Sequence, residues 1–430
     1  MLKLLGNLHK RERLLTVVCL LLVLGRCWLD LLLPGYMRDL TLLAQTPGSA
    51  PAMGWVIGRK MVICGLSSLL LAVPSSWCAA QAAAGFAYAL RETLFGKGIE
   101  LGKAEVNAFS VSGLVTCTTD DVNRLQQILN EGLQVLVRLP VTVILVVARM
   151  PGRSWLSADL MELGGYGFYV VLSLLEAAAV LRQLPAVRSA AERILSVLDA
   201  EPSVQPGTRS VGRGTGSLEF RSVSFAYPGE THRVLENISF RIEKGQTVAV
   251  VGAPGCGKSA LADLAARLYD PAEGQIILDG LDLREYTFEA LYNRLGYVPQ
   301  KARVFSGSVR SNLFFGEREA SDREPELKAV LEGIPGEGLP DRVEHGGETL
   351  SNGQRQRLAI GRVLARKPEV LILDDCLSGL DHQACRKLLE GLQNTAVLLI
   401  TGQRDLAQMA DQILVLEQGR LVSAGQEVEQ

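Results

Sequence analysis

Residues 247–260 read TVAVVGAPGCGKSA. The first five, apolar and β-branched, have the composition of a buried strand. The next eight, GAPGCGKS, fit the pattern G-x-x-x-x-G-K-[ST], and a helix is expected to begin near Ala260. Strand, glycine-rich loop and helix, in that order, is the context this pattern requires. Its glycines let consecutive backbone N–H groups turn inward around phosphate oxygens, at a helix amino terminus whose dipole favours negative charge. The expected cradle is therefore Gly252, Ala253, Pro254, Gly255, Cys256, Gly257, Lys258, Ser259 and Ala260. Within it the Lys258 ammonium would reach the β- and γ-phosphates of ATP, and the Ser259 hydroxyl would ligate Mg²⁺.

Downstream, residues 370–375 read VLILDD, a second apolar strand ending in two carboxylates. Alone this is weak; beside a phosphate loop, Asp374 is placed to hold the Mg²⁺ shell and Asp375 to orient or deprotonate an attacking water. From residue 217 onward, short β-branched runs alternate with amphipathic helical stretches, which implies βαβ units and a mostly parallel sheet. Residues 201–216, EPSVQPGTRSVGRGTG, are rich in Gly, Pro and Ser with little apolar content, and read as a linker. The expected organisation is thus a membrane domain over 1–200, a linker over 201–216 and a nucleotide domain over 217–430.

The chain's mean hydropathy is positive, and the excess lies almost wholly before residue 200. Apolar runs at 14–33, 61–90, 133–147 and 166–181 predict four spanning helices. The first is too long for a signal h-region, and no A-x-A-like cleavage site follows it. Arg26 and Asp30, four apart within it, share one helix face; they either pair inside the bundle or snorkel to an interface. The third run is short and contains Arg138 and Pro140, so neighbouring helices must cover its freed backbone groups. Residues 91–127 are polar with apolar residues at helical spacing. They read as two helices extending past the membrane, joined by a turn near 109–113, a protrusion able to dock onto another domain. Basic residues at Lys3, Lys10, Arg11, Arg13, 91–103, Arg182, Arg188 and Arg193 fall on one side of four spans, which puts both termini in the cytoplasm.

A length of 430 residues suits two domains, and a formal net charge of −2 gives no basic footprint for nucleic acid. Eight cysteines are scattered without a C-x-x-C pair, which implies neither a disulfide framework nor a zinc site.

Between the two nucleotide motifs stands LSNGQRQRLAIGR (350–362), which resembles the LSGGQ signature of the ATP-binding-cassette (ABC) superfamily. The resemblance covers essentially all of 217–430. It implies a fold: an α-helical transmembrane domain followed by an α/β P-loop NTPase domain of ABC type, with a mostly parallel sheet, helices and a helical subdomain. It also implies roles. Tyr227, in FAYPG, matches the aromatic residue that stacks on adenine. Gln300, in GYVPQ, matches the glutamine that meets the γ-phosphate and the metal. Asp381, in SGLD, matches a loop crossing the dimer interface. Family nucleotide domains pair head to tail, so Leu350, Ser351, Asn352, Gly353 and Gln354 would face a partner's ATP. A second half-transporter is implied, since the chain carries one such domain. The membrane half resembles, more softly, that of exporter-type half-transporters in the cell membrane, which move drugs or lipid-like compounds; membrane lipid and a hydrophobic small molecule are the implied ligands.

The sequence departs from the family at four places. The water-activating residue is usually Glu, and Asp375 is one methylene shorter. The switch histidine is missing: LLITGQRD puts Gly402 there by count, or Gln403 if one residue is deleted, and histidines 9, 232, 345 and 382 fall elsewhere. Gln can hydrogen-bond a phosphate but carries no positive charge. Asn352 replaces a signature glycine. The text passes from the third helix almost directly to something resembling the sixth, so the family's fourth and fifth helices have no counterpart. Asp with a non-His resembles the degenerate, slow ATPase site of exporters built from unlike halves. Three readings stay open: a transporter subunit paired with an unlike half, a membrane-anchored ATP-binding protein that dimerises without transport, and a truncated product without activity.

Overall fold

The computed structural model describes residues 10–46, 51–149, 157–315 and 342–424. Lys3, His9, the MPGRSW that follows the third helix, residues 316–341 within the expected helical subdomain, and the chain end from 425 lie outside the described residues. The chain forms two compact units, one of Met1–Leu101 with Glu105–Glu201, the other of Gly102–Ala104 with Pro202–Gln430.

The first unit is helical: α1 (Lys10–Asp30), α2 (Leu33–Gln45), α3 (Pro51–Glu100), α4 (Lys103–Phe109, whose first two residues cluster with the second unit), α5 (Val111–Thr116), α6 (Val122–Arg149) and α7 (Ser157–Leu198). Four stretches, Arg11–Gln45, Ala52–Glu100, Val111–Arg149 and Asp159–Leu198, are long and apolar enough to cross a membrane, as the four apolar runs anticipate. At 50 residues α3 is about 75 Å long, well beyond a hydrocarbon core of about 30 Å. It continues into the polar text after residue 90, where Phe86, Leu90, Leu94, Val122, Val187 and Ile194 form a buried core. The expected turn falls at Ser110, at φ 59°, whose hydroxyl accepts from the Gly113 N–H at 3.1 Å. The third span is longer than its apolar run, because α6 also takes in the more polar turns of 122–132, and it passes through Pro140 without ending.

Asp30 settles the choice left by Arg26. Its carboxylate accepts from the Ser68 hydroxyl at 2.5 Å and lies 3.8 Å from Arg26 Nε and 3.6 Å from Arg138 Nη2. Arg138 also reaches Glu176 at 3.3 Å. Charges of both signs thus pair across the bundle, as intramembrane ionisable groups require.

In the second unit, β1 (Leu218–Phe225), β2 (Leu235–Ile242), β3 (Thr247–Val251), α8 (Lys258–Ala265), β4 (Glu273–Leu278), β5 (Leu281–Asp282), α9 (Phe288–Tyr292), β6 (Leu295–Val298), β7 (Gly307–Ser308), α10 (Val309–Leu313), β8 (Arg342–Val343), α11 (Asn352–Leu364), β9 (Val370–Asp374), α12 (His382–Glu390), β10 (Ala396–Ile400), α13 (Arg404–Ala407), β11 (Gln412–Glu417) and β12 (Arg420–Ala424) follow in order. The central sheet runs β12-β11-β3-β10-β9-β6, parallel except for the β11–β12 pair. Its middle strands are apolar but for Thr247 and Asp374 at their ends, because both faces are covered. Val248, Val250, Ile372 and Leu398 enter one core cluster, while Ala249, Leu371, Leu373 and Leu399 enter the other.

A separate antiparallel sheet, β2-β1-β4-β5, is additional to the expected parallel pattern. Strands β1 and β2 carry both buried and exposed positions, and Phe220 stacks on Phe240 across them at 4.6 Å. Near the signature, Val304, Val309, Leu313, Val343, Leu350 and Leu358 form a smaller core.

The segment with linker composition is fixed to this unit from residue 205 on. The Gly207 N–H donates to Tyr286 O at 2.8 Å, Arg209 N–H to Glu285 O at 2.9 Å, and the buried Arg267 guanidinium to Gln205 O at 2.6 Å. Asp279 accepts from the Thr215 hydroxyl at 2.5 Å and from the Ser217 and Gly216 amides at 2.8 and 3.1 Å. Low apolar content removes a core from this segment, yet its backbone donors still find acceptors.

Candidate nucleotide site

The phosphate loop leaves β3 and enters α8, whose first residue is Lys258 and whose cap is Gly257 at φ 109°. Two glycines are sterically required. A Cβ on Gly257 would lie 2.8 Å from Leu235 Cδ2 and 3.0 Å from Val234 O, and one on Gly252 would lie 2.3 Å from Leu416 O. Chain from two separate elements, β2 with the residue before it and β11, therefore closes on the loop and holds its course. The Lys258 ammonium donates to Gly252 O at 2.6 Å and Ala253 O at 2.9 Å, so its charge sits across the loop. Cys256 is buried, Ser259 is exposed at the start of α8, and the Ala260 side chain is in the core, leaving only its backbone for a ligand.

The two carboxylates stand at the carboxyl end of β9. Asp374 is buried; burial, then the neighbouring Asp263 carboxylate, pushes its acidity constant up, and the Tyr297 hydroxyl donates to it at 3.4 Å. Asp375 turns out of the strand at φ 45°, a left-handed conformation that Asp tolerates better than most residues, and its N–H donates to Ile400 O at 2.8 Å. Its Oδ2 accepts from Gln300 Nε2 at 3.1 Å, so residues 75 apart in sequence meet here.

Tyr227 lies half-buried, edge-on to Phe225 (5.0 Å, 78°) and to Tyr269 (5.5 Å, 82°). Burial, then Asp263, pushes its hydroxyl up to about 12. The signature begins α11 with a capping box: the Ser351 hydroxyl accepts from Gln354 N–H at 3.1 Å, and Gln354 Oε1 accepts from Ser351 N–H at 3.0 Å. Asn352 Oδ1 accepts from the Arg355 guanidinium, Leu350 anchors the smaller core, and Gly353 lies against Gly379 O. Asp381 caps α12, accepting from Ala384 N–H at 2.7 Å.

A cavity of about 1640 Å³ opens beside the loop, lined by residues 252–256 together with His232, Arg233, Gly402, Arg404, Gln408 and Arg420. Tyr227, Gln300, Asp374, Asp375 and Ser351 do not line it. The lining cations went unread in the sequence because they come from the turn before β2, from α13 and from the β11–β12 hairpin; the GET-HR text carries no spacing that marks them. Gly402 lines the cavity and Gln403 does not. A Cβ on Gly402 meets nothing within 4 Å. Among the described residues there is no group of three His, Cys, Asp or Glu able to hold a metal on its own. The oxygen donors Ser259 and Asp374 instead suit Mg²⁺, which is commonly held by few protein ligands plus phosphate and water.

Comparison with known proteins gives a match to the ABC transporter family over residues 235–378. The chain is similar to the ATP-dependent lipid A-core flippases of Salmonella paratyphi A (39% identical over 248 residues), Pectobacterium atrosepticum (38% over 249) and Escherichia coli strain K12 (38% over 248). In each case 55% of this chain is covered, and it spans only 43% of the relative's length. Phosphate loop, signature and paired β9 carboxylates all lie within residues 235–378, the part of the chain that matches the ABC transporter family, and four helices of membrane-spanning length precede them.

Proposed function

We propose that the chain binds ATP with Mg²⁺ at residues 252–259 and, paired with a second nucleotide domain, couples that binding to export of a hydrophobic, lipid-like compound. The sterically enforced loop with Lys258 lying across it carries the reading. Loop amides and Lys258 hold the phosphate tail, Ser259 and Asp374 hold the metal, and Gln300 steadies Asp375 towards the water. The metal, when bound, neutralises phosphate charge. Ser351 and Gly353 serve the partner's nucleotide, and Asp381 shapes the loop between the two domains. Tyr227 supplies an aromatic face for adenine. The lipid-like cargo follows the names of the relatives. The basic residues of α1 and of the 91–103 and 182–193 segments support cytoplasmic termini in a cell membrane.

Asp375 and Gly402 support slow turnover and an unlike partner that supplies Glu and His. Purified protein should bind ATP saturably, and Lys258→Ala should weaken binding about 100-fold, the loss of charge-assisted bonds to two phosphates. No change on that substitution refutes the site. The four spanning-length helices favour a second reading, a membrane-anchored protein that binds ATP and dimerises without pumping. Vesicles containing the chain alone, or with a second half-transporter, decide between the two: ATP-dependent movement of a lipid probe supports export, and ATP binding without movement supports the second reading.

A further inference from the structure

Asp263 is a carboxylate in an apolar setting. It lies on α8, where residues 260–265 are all buried, and its own side chain is 4% exposed. Standing four residues after Ser259, it shares one face of the helix with that hydroxyl. Among the described residues one side chain bonds it: the Lys103 ammonium donates to both carboxylate oxygens, at 2.7 and 2.8 Å. Lys103 clusters with the nucleotide unit, and the neighbouring Ala104 packs against the same apolar core as α8.

The pair also acts on the second expected metal holder. At Asp374 burial raises the proton affinity most, Asp263 raises it next, and Lys103 lowers it, so both charges reach that carboxylate. The fold itself gives little reason for the pair. An ion pair taken out of water adds little net stability, and apolar residues of similar size often hold such positions as well or better. What the pair adds is charge, placed about one helical turn from Ser259 and felt at Asp374.

Building on the Mg²⁺-ATP reading, we propose that Asp263 and Lys103 are positioning residues that set how strongly Ser259 and Asp374 hold the metal. While the pair is intact its charges cancel, and little net charge stands behind the site. Removal of Asp263 leaves the ammonium to repel a divalent cation; removal of Lys103 leaves a carboxylate to attract it. At an effective dielectric of about 20, a unit charge about 10 Å from a divalent ion changes its affinity by at least about tenfold, and salt screening trims this effect less at buried sites.

Calorimetric titration of the full chain in neutral detergent measures the ATP dissociation constant with EDTA and with Mg²⁺, and the first divided by the second gives the metal's contribution. Asp263→Asn should cut that ratio at least about tenfold while ATP binding in EDTA holds or strengthens, since a bare ammonium favours phosphate. Lys103→Met should raise the ratio, and the double variant should restore the wild-type value. A merely structural pair would instead weaken binding under both conditions together and leave the ratio unchanged. A ratio unchanged in Asp263→Asn, or lowered in both single variants, overturns the proposal. Should Asp263→Asn fail to fold, Lys103→Met decides: a raised ratio supports the proposal, and an unchanged or lowered one overturns it. Absence of saturable ATP binding in the wild type, by contrast, removes the Mg²⁺-ATP reading itself and this proposal with it.

Discussion

Replacing Asp279 by Asn should unfasten the segment that precedes β1. Burial raises the proton affinity of this carboxylate, but hydrogen bonds from Thr215, Ser217, Gly216 and Arg294 outweigh it and bring its acidity constant from an ordinary 3.8 to about 2. A difference of that size corresponds to about 2.5 kcal/mol of folded-state stabilisation at neutral pH. The group is depressed in the folded state, so this stabilisation is complete above about pH 4 and is lost as pH falls towards 2. Asn keeps one acceptor and loses the charge, and Arg294 retains Glu369, so about 2 kcal/mol of the local opening free energy should disappear. Hydrogen exchange at the Gly216 and Ser217 amides reads this directly, because both donate to Asp279. In Asp279→Asn they should exchange about thirtyfold faster at neutral pH, and in the wild type their protection relative to free peptide should fall between about pH 4 and pH 2. Unchanged protection in the variant, or wild-type protection independent of pH over that range, would refute the assignment of these bonds.

The double substitution Asp375→Glu with Gly402→His should raise ATP hydrolysis by about 10- to 100-fold, since a methylene misplaces the water-activating group and position 402 has room for a side chain; steady-state phosphate release checks it, and no gain removes the slow-site reading. Gly257→Ala should destabilise the nucleotide unit by about 1–3 kcal/mol, the range for enforcing φ 109° on a residue with a Cβ, and should shrink the thermal shift produced by ATP. Tyr227→Ala should weaken ATP binding about tenfold while Tyr227→Phe leaves it unchanged, because ring area and not the hydroxyl makes the stack; equal losses in both variants would assign the effect to the hydroxyl.

Legibility in the sequence followed distance along the chain. Residues 247–260 are contiguous, and composition alone gave the strand, the loop and the start of α8. The four spans were equally local, although periodicity understated α6, since its helix continues through polar turns that a hydropathy run ends before. The meeting of Gln300 with Asp375 was not anticipated: the family resemblance named each residue separately, and no local pattern links two residues at the ends of adjacent parallel strands. Asp279 and the cavity cations Arg404 and Arg420 were not legible at all. Asp279 sits between β4 and β5, and only the folded chain brings Thr215 to it, 64 residues away. Low apolar content in residues 201–216 reads as a linker by composition, but the bonds that fix residues 205–217 come from partners elsewhere in the chain and leave no mark on that composition.

The proposed phosphate cradle and the proposed water-activating positions are held in different ways in this nucleotide unit. The phosphate loop is held by the close approach of Leu416 O to Gly252 and of Leu235 and Val234 to Gly257, contacts that any change in loop path would break. The positions read as acting on water, Asp375 and Gly402, follow β9 and β10; Asp375 is held only by its φ of 45°, which Asp tolerates better than most residues, and Gly402 carries no such constraint. Gly402 faces open space, and Asp375 keeps its strand-end bond to Ile400 O through its own backbone, whatever its side chain. Loss of Glu and His at these places therefore leaves core, sheet and cradle undisturbed. A chain that binds nucleotide firmly while turning it over slowly, as proposed, is therefore compatible with the same core, sheet and cradle.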